Sequence, residues 1–430
     1  MLNVPPPSAL WHFRPQPILD ESFSSWFCRT AWQNGLYPAD LYRIALPGAR
    51  MHRIDLDRFA CDELVENLAQ HTGINTDTLW NRSFRAWDGQ LNEDCSKHGK
   101  LLWLPPAGTD RTCKSFGQQV CPDCLREHQT PYLKRHWRLS FVTGCTRHQR
   151  LLIDRCPECS APIQPLFTSA HSDSVAICSK CGFDLRRTPQ TSNCHHTDLT
   201  IQKDLIETAE DGWTYMGKYS DVYSLSYFRI LWVTYRLLAT GQFAKSLRNW
   251  CSTHLGEAIP SSNIPLIKEI ELLNPRCRQA LVRHAHLLMQ DWPHKFVAAC
   301  QASNISSKDL IKGYDKEPFA LWDTVRCHLH TPSTETSAEV IDAAKRHLLS
   351  QDICPTYKEL TQLIGIKFQA RRHMAESGRN CIHYGVHRYW KLDGVSSEIR
   401  TAAKKAARRE GENIGPWVDK VLRLALEQNP

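Results

Sequence analysis

Long apolar segments are absent from this sequence of 430 residues. The longest strongly apolar patch, Ile230–Val233, is flanked by Arg229 and Arg236, whereas a membrane-spanning helix needs about 20 apolar residues. The first residues, MLNVPPPSALWHF, have neither the positively charged start nor the apolar stretch of a secretory signal peptide. We therefore expect a soluble, cytoplasmic protein without a membrane partner.

Sequence signatures of catalysis are also missing. The phosphate-binding motif Gly-x-x-x-x-Gly-Lys-Ser/Thr does not occur, and no pair of acidic residues stands out as a site for two metal ions. No fixed-period repeat or low-complexity segment is visible. Apolar residues make up 42% of the chain and charged residues 23%, which permits packed cores and excludes wholesale disorder.

Cysteine, in contrast, is abundant, with 18 residues in a chain expected to face a reducing cytosol. Eight chemically suitable side chains form two groups with matched spacing. The first group is Cys121, Cys124, Cys145 and His148, and the second is Cys156, Cys159, Cys178 and Cys181. Two cysteines three positions apart on a tight turn can direct both sulfurs at one ion, and a second such turn completes a tetrahedron.

These spacings predict a Cys₃His site and a Cys₄ site for two structural Zn²⁺ ions. Both sites would be closed, because all four positions are taken by protein ligands, and neither suits catalysis. Chance burial of eight cysteines and histidines in this pattern is a poor alternative, as is a redox Cys-x-x-Cys motif, which occurs singly. Other cysteines, including Cys28, Cys61, Cys251 and Cys300, are interpreted as small buried apolar residues. Cys194 with His195 and His196, and Cys95 with His98, are interpreted as ordinary polar connections because a fourth ligand is missing.

The rest of the sequence reads as helical, so the predicted fold class is mainly α. Asp20 and Ser22 are candidate caps for a first helix, and a second helix runs from about Asp57 to Gly73. The short strands expected in the cysteine-rich block include the alternating run at Trp137, Leu139 and Phe141. We predict the following organisation: an N-terminal helical, helix-turn-helix-like domain (1–88), a connector (89–115), a tandem zinc-knuckle block (116–190), a linker (191–210), a helical domain (211–330), a helix-turn-helix-like unit (331–385) and a ribbon-helix-helix-like tail (386–430).

The helix-turn-helix interpretations compete with ordinary helical hairpins, and the pattern alone does not separate them. In the tail, a short alternating strand at 387–392 precedes two small helices. The first is capped by Ser396 or Ser397, and the second opens at Pro416 and is expected to bury Val418, Val421, Leu422 and Ala425. Such a unit cannot bury its own core, so its pairing with a second copy predicts a homodimer.

Positive charge is concentrated near this tail. From Lys367 to Arg409 the sequence has eleven Lys or Arg and three acidic residues, a net charge of +8. This pattern is typical of contact with a phosphate backbone, although a solvated basic helix face remains an alternative. The candidate DNA-contacting residues are Lys367, Arg371, Arg372, Arg379, His387, Tyr389 and Lys391.

Several of these motifs together resemble the TniQ/TnsD family of bacterial transposon target-selection proteins. The resemblance covers about 180 residues and rests on the following positions: Pro15-Gln-Pro17-Ile-Leu-Asp20-Glu21-Ser22, Ser25-Trp26, Arg29, Cys121-Pro-Asp-Cys124, Trp137-Arg138-Leu139, Phe141-Val142-Thr143, Cys145, His148, Leu151-Leu152 and Cys156-Pro-Glu-Cys159. The ribbon-helix-helix-like tail is not part of what the resemblance implies.

The resemblance implies an adaptor without catalytic activity, active at the bacterial nucleoid. Such a protein binds target DNA, or docks on an RNA-guided Cascade complex, and recruits the transposon's AAA+ ATPase regulator and transposase. The basic tail favours direct DNA recognition over Cascade docking. A DNA-binding transcriptional regulator is the alternative from another class, and it would leave the opening motif unexplained.

Overall fold

The structure is a computed structural model, and the chain divides into two compact units, Met1–Thr331 and Pro332–Pro430. The residues it describes are 10–49, 51, 55–96, 99–109, 114–167, 173–256, 273–311, 317–329, 338–351, 353, 355–364, 396–412 and 414–427. The predicted mainly helical fold with short two-stranded sheets and two cysteine-rich clusters is confirmed. Across the described ranges, every helix is too short or too polar to cross a lipid bilayer.

The amino-terminal part of the first unit is helical. Its elements are α1 (Phe23–Gln33), α2 (Pro38–Ala45), α3 (Leu56–Phe59), α4 (Asp62–Thr72), α5 (Thr76–Trp80) and a 3₁₀ helix (Phe84–Trp87). Ser22 caps α1 as predicted, because its side chain accepts a hydrogen bond from the Ser25 amide. Asp20 does not cap the helix and instead forms an ion pair with Lys134, with 2.7 Å between the charged atoms.

Two details of this helical part differ from the sequence prediction. The single helix expected from Asp57 to Gly73 is split into α3 and α4, because Ala60 is extended, with ψ at 131°. Asn75, and not Thr76, caps α5 by accepting the Asp77 amide at 2.7 Å. Gly73 ends α4 as predicted, and its left-handed φ of 72° explains the glycine.

The cysteine-rich block has little regular structure. It contains β1 (Ala107–Thr109) paired antiparallel with β2 (Lys114–Phe116), helix α6 (Pro122–Glu127), 3₁₀ helices at Arg135–Arg138 and Leu185–Arg187, and β3 (Gly144–Cys145) paired antiparallel with β4 (Arg150–Leu151). The strand predicted at Trp137, Leu139 and Phe141 is wrong. The alternation is misleading because Arg138 is as deeply buried as its apolar neighbours and the chain forms a 3₁₀ turn there.

The described residues of the remainder of the first unit form helices and one hairpin. These are α7 (His196–Asp211), β5 (Trp213–Met216), β6 (Tyr219–Tyr223), α8 (Ser224–Ala239), α9 (Ala244–His254), α10 (Pro275–Gln290), α11 (His294–Ala302), α12 (Ser307–Leu310), α13 (Phe319–Thr324) and a π-helical turn at Val325–Leu329. The predicted cap at Ser306 is confirmed as a reciprocal capping box with Asp309. Helix α8 packs against α10.

One hydrophobic core runs through the first unit, from Phe23 to Leu329. Trp103, within the segment predicted as a connector, is fully buried in it. The Trp103 ring contacts those of Phe141, Trp232 and Tyr235 at centroid distances of 5.7, 5.0 and 5.3 Å. Its indole nitrogen donates to the Phe228 carbonyl at 3.1 Å, so segments distant in sequence share one core.

The second unit contains α14 (Ala338–Ser350), α15 (Tyr357–Ile364), α16 (Ser397–Arg409) and α17 (Ile414–Glu427). Ser396, one of the two residues predicted as the cap, caps α16. Val421 and Leu422 of the last helix are 40% and 54% exposed in the single chain, so the burial expected on pairing with a second copy stays a prediction. The predicted strand at 387–392 lies outside the described residues.

A buried ion-pair network connects the amino-terminal helices to the cysteine-rich block. The Arg138 guanidinium is 1% exposed and lies 2.6 Å from Asp57 and 2.5 Å from Asp55. Asp57 also accepts hydrogen bonds from the amide and hydroxyl of Ser24, at 2.7 and 2.8 Å. Burial alone would lower the pKa of Arg138, but the two carboxylates raise it above its usual value.

Replacing Arg138 should therefore destabilise the first unit. The Arg138→Met substitution leaves two carboxylates buried without their counter-charge, which costs about 3–5 kcal/mol. Urea unfolding of the full chain, followed by tryptophan fluorescence, measures the loss. The matched control is Arg85→Met, whose ion pair with Asp62 is exposed and contributes less than about 1 kcal/mol. Equal unfolding midpoints for the two variants would contradict this role of Arg138.

Candidate metal centres

The first cluster brings together the four side chains predicted to form the Cys₃His site. Cys121 precedes α6, and Pro122 at the first helical position starts the turn that carries Cys124. Cys145 and His148 lie at the turn of the β3–β4 hairpin. Nδ1 of His148 is 3.5, 3.4 and 3.5 Å from Sγ of Cys121, Cys124 and Cys145, respectively. With metal–sulfur bonds near 2.3 Å and a metal–nitrogen bond near 2.0–2.1 Å, a tetrahedral site has nitrogen–sulfur edges of about 3.5–3.6 Å, so these separations suit one enclosed ion.

The second cluster has the same internal geometry. The Cys156 and Cys181 sulfurs are 3.7 Å apart, as are those of Cys159 and Cys178. Each Cys-x-x-Cys pair sits on a turn closed by a backbone hydrogen bond, from Ser160 to Cys156 at 2.9 Å and from Gly182 to Cys178 at 2.9 Å. In both clusters, all four ligand atoms lie within 4.8 Å of one another. The structure thus places all eight predicted ligands in two groups that could each hold a metal ion.

Left-handed backbone recurs at these turns. Ser160 and Gly182 follow their second cysteines with φ of 54° and 75°, and Gln149 follows His148 with φ of 53°. Because of this positive φ, the amide of each of these three residues donates a hydrogen bond to the carbonyl of the first ligand, four positions earlier. This bond keeps the turn tight. Tight turns of this kind place side chains three positions apart on the same side, and this positions both ligands of each pair.

The two clusters are joined by a short extended connection. Val120, just before Cys121, pairs with Ile153, three residues before Cys156, through reciprocal backbone hydrogen bonds of 2.9 and 3.0 Å. The metal clusters therefore share a rigid backbone support.

The Glu127 carboxylate contacts the histidine of the first cluster. The Nε2 atom of His148 lies 2.8 Å from Oε1 of Glu127, while Nδ1 faces the sulfurs. The carboxylate also contacts Arg147 at 2.8 Å. A carboxylate at the far nitrogen fixes the ring orientation and tautomer of a metal-binding histidine. Sequence analysis missed Glu127, although its position on the Cys124 face of a short helix, three residues later, was a usable signal.

The cysteines outside the two clusters are mostly buried. Burial raises the pKa of Cys251 to about 12, and the pKa values of Cys28 and Cys300 also rise mainly because of burial. These residues therefore remain neutral thiols, in keeping with the sequence interpretation. Cys61 is an exception, because it is exposed at the start of α4.

No third metal cluster occurs among the described residues. Cys194 is buried against Leu151 and Leu199, and its sulfur accepts from the Gln279 amide at 3.3 Å. The neighbouring His195 and His196 are exposed and do not converge on it. Cys95 is also buried, whereas His98 lies outside the described residues.

The candidate DNA-contacting residues all fall outside the described part of the chain. They are Lys367, Arg371, Arg372, Arg379, His387, Tyr389 and Lys391. Their contact with DNA therefore stays a prediction from the sequence.

The opening motif of the sequence is a buried hydrogen-bonded assembly. The Glu21 carboxylate is fully buried and accepts from Arg29 at 2.7 and 2.6 Å and from the Ser25 hydroxyl at 2.7 Å. Ser25 in turn accepts the Leu133 amide at 2.9 Å, and the Trp26 indole donates to the Pro15 carbonyl at 2.8 Å. The motif therefore connects α1 to the segment that follows α6, and the side chains of Glu21, Ser25 and Arg29 have structural partners.

Substituting a ligand should release the metal ion of its own cluster. We expect Cys121→Ser or Cys156→Ser to reduce the metal content from two ions per chain to one or fewer and to give insoluble protein, because the turns that carry the ligands have little regular structure of their own. Elemental analysis and solubility measure the two effects. The control is Cys61→Ser, an exposed cysteine outside the clusters. A fully folded Cys156→Ser variant that retains two ions would contradict the ligand assignment.

Removing the Glu127 carboxylate should weaken metal binding without removing a ligand. Glu127→Ala is expected to lower the affinity of the first cluster about 10- to 100-fold. Competition with a chromogenic chelator, followed as metal release against chelator concentration, measures the change. Glu158→Ala is the control, because that exposed residue occupies the knuckle of the second cluster. Identical metal-release curves for both variants would show that Glu127 does not affect metal binding.

Comparison with protein-family models matched residues 12–152 to the TniQ family. The matched segment includes the opening motif and the whole first cluster, and ends four residues before Cys156. A comparison with curated proteins found no match. Residues 12–152 of the chain are thus similar to the TniQ domain, whose family is associated with target selection in transposition.

Proposed function

We propose that this protein is a target-site selection adaptor for DNA transposition. In this role it binds target DNA and recruits the transposon's AAA+ ATPase regulator and, through it, the transposase. The observation that carries the proposal is the TniQ domain at residues 12–152. The opening motif and the first metal cluster, which carried the sequence resemblance, lie within that domain and are connected by buried contacts between α1 and the segment after α6.

Both clusters are proposed to hold structural Zn²⁺. A set of three thiolates and one imidazole, or of four thiolates, is a donor set that tetrahedral zinc prefers. Cys121, Cys124, Cys145 and His148 would hold one ion, and Cys156, Cys159, Cys178 and Cys181 the other. Each ion would supply cross-linking and folding free energy. We propose no catalytic activity for the protein, because its metal clusters each offer four protein ligands and leave no position for a substrate.

Direct DNA binding is proposed for the basic segment from Lys367 to Arg409. The concentration of eleven basic residues there supports contact with phosphates. Helix α16, the described part of this segment, presents Lys404, Lys405, Arg408 and Arg409 to solvent. DNA binding of this kind would place the protein at the nucleoid.

A homodimer formed through the tail is part of the same proposal. The apolar residues Val421, Leu422, Leu424 and Leu426 of α17 are each at least 40% exposed in the single chain. Exposed apolar helix faces of this kind are stable when a partner covers them. Ribbon-helix-helix pairing of two tails would bury this face and bring together two copies of the basic segment.

Salt dependence tests the DNA-binding part of the proposal. Arg371→Ala combined with Arg372→Ala should weaken binding to double-stranded DNA and reduce the slope of log K against log salt concentration by about two units, because two phosphate contacts are lost. Fluorescence anisotropy at several salt concentrations measures the slope. The control combines Arg43→Ala with Arg85→Ala, which removes the same charge from exposed positions of the first unit. An unchanged slope would place Arg371 and Arg372 on a solvated face.

Docking on an RNA-guided Cascade complex is the second mode compatible with TniQ membership. Purification of the tagged protein from its own cells, followed by analysis of bound nucleic acid and proteins, separates the two modes. Guide RNA and Cas proteins in the eluate would favour Cascade docking, whereas target DNA with the ATPase would favour direct recognition. A transcriptional regulator is the alternative outside transposition, and it predicts binding at a promoter without the ATPase.

A further inference from the structure

The β5–β6 hairpin presents aromatic rings to solvent. Trp213 and Tyr223 lie opposite each other in the antiparallel register, and their ring centroids are 5.3 Å apart. Tyr215 and Asp221 are the next exposed residues along the two strands, at the irregularity in register between Thr214 and Met216. We call these four residues the aromatic face. Trp213, Tyr215 and Tyr223 are 58%, 66% and 39% exposed.

The opposite face of the hairpin is anchored in the core. Met216 and Val222 are 1% and 7% exposed. Gly217 lies in the turn and has a φ of 55°. A Cβ at this position would lie 2.2 Å from the Trp292 carbonyl oxygen, so the turn is in close contact with the Trp292 backbone. The Tyr223 hydroxyl donates to the Gly89 carbonyl, and the Ser224 hydroxyl donates to that of Gln90 at 2.7 Å. The hairpin backbone and the Tyr223 ring are therefore held in position before any partner binds, which reduces the entropy cost of association.

The surroundings of the aromatic face are acidic. Residues 203–223 contain five acidic residues and two lysines, although the whole chain has a formal net charge of +8. Glu210 is neutralised by Arg135, and Glu207 by Lys203. Among the described residues, no cationic group lies within ion-pair distance of Asp211 or Asp221.

The end of α7 adds to this negative potential. The helix ends at Asp211, two residues before Trp213, and its last turn contains no basic residue. The carbonyl groups at a helix C-terminus carry partial negative charge and favour cations. Aromatic ring faces also attract cations, and the planar guanidinium of arginine can stack on a ring while it pairs with a carboxylate.

We propose that the aromatic face binds an arginine-bearing segment of a partner protein. Rigid Trp and Tyr side chains are the residue types that dominate protein interfaces. The carboxylates at Asp211 and Asp221 complement arginine and would repel the phosphates of a nucleic acid. The inference goes beyond the adaptor function, because it concerns a surface of the first unit that is separate in sequence from the basic tail.

A direct test uses the full-length protein and a fluorescein-labelled peptide of alternating glycine and arginine. Trp213→Ala combined with Tyr215→Ala is expected to raise the Kd roughly tenfold, since rigid aromatic anchors contribute most to such contacts. Asp221→Lys is expected to raise the Kd by a similar factor through charge reversal. The control is Tyr37→Ala, which removes an equally accessible aromatic ring, 49% exposed, and should leave the Kd unchanged.

Metal content and the urea midpoint of each variant establish that it is folded. Because Asp221 is exposed and Asp221→Lys removes no core contact, this variant provides the test if the aromatic double variant does not fold. An unchanged Kd for folded Asp221→Lys, or no peptide binding by the wild-type protein, would overturn the proposal. Loss of oligothymidine binding in the aromatic variants, with peptide binding retained, would overturn it in favour of a base-stacking surface. Duplex DNA binding by the same variants reports on the adaptor function, so the two proposals can fail separately.

Discussion

Four ligand atoms must converge on one point in each cysteine-rich cluster, and much of the first unit is arranged around this requirement. The ligands come from short turns that have little secondary structure of their own, namely the start of α6, the β3–β4 turn and two isolated knuckles. Thiolates held within a few ångströms of each other repel unless a cation neutralises them. A cation held by each cluster would compensate this charge and cross-link the turns that carry the ligands.

Buried charged side chains extend that support into the helical regions. Arg138 joins the block to Asp55 and Asp57, and Arg278 of α10 reaches into it from the other side, donating to the Ser140 carbonyl at 3.0 Å and to Gln119 at 3.1 Å. Partnered charges in a core add directional specificity that apolar contacts lack, because removing either partner leaves the other uncompensated. These contacts of Arg138 and Arg278 fix the cysteine-rich block relative to the surrounding helices.

The sequence predicted the features that depend on local chemistry. The metal ligands were recognisable because two cysteines on a tight turn need a fixed spacing, and Ser22, Gly73 and Ser306 marked helix ends through their capping chemistry. Features that depend on distant partners were missed. The alternation of polar and apolar residues around Arg138 indicated a strand. Arg138 is buried, however, because it pairs with Asp55 and Asp57, which are distant in sequence, and its charge therefore did not mark an exposed position. Glu127 was missed for the related reason that its contact with His148 forms only after the hairpin folds back.

Trp103 packs against residues that lie beyond the segment matched to the family. Residues 12–152 are the region matched to the family, yet the Trp103 indole is enclosed by Phe228, Trp232 and Tyr235, which lie some 75 or more residues beyond it. A fragment cut at the limits of the match would expose that indole to water and interrupt the metal block before Cys156. The matched portion of the chain is thus smaller than the portion that must be expressed together to obtain it in folded form.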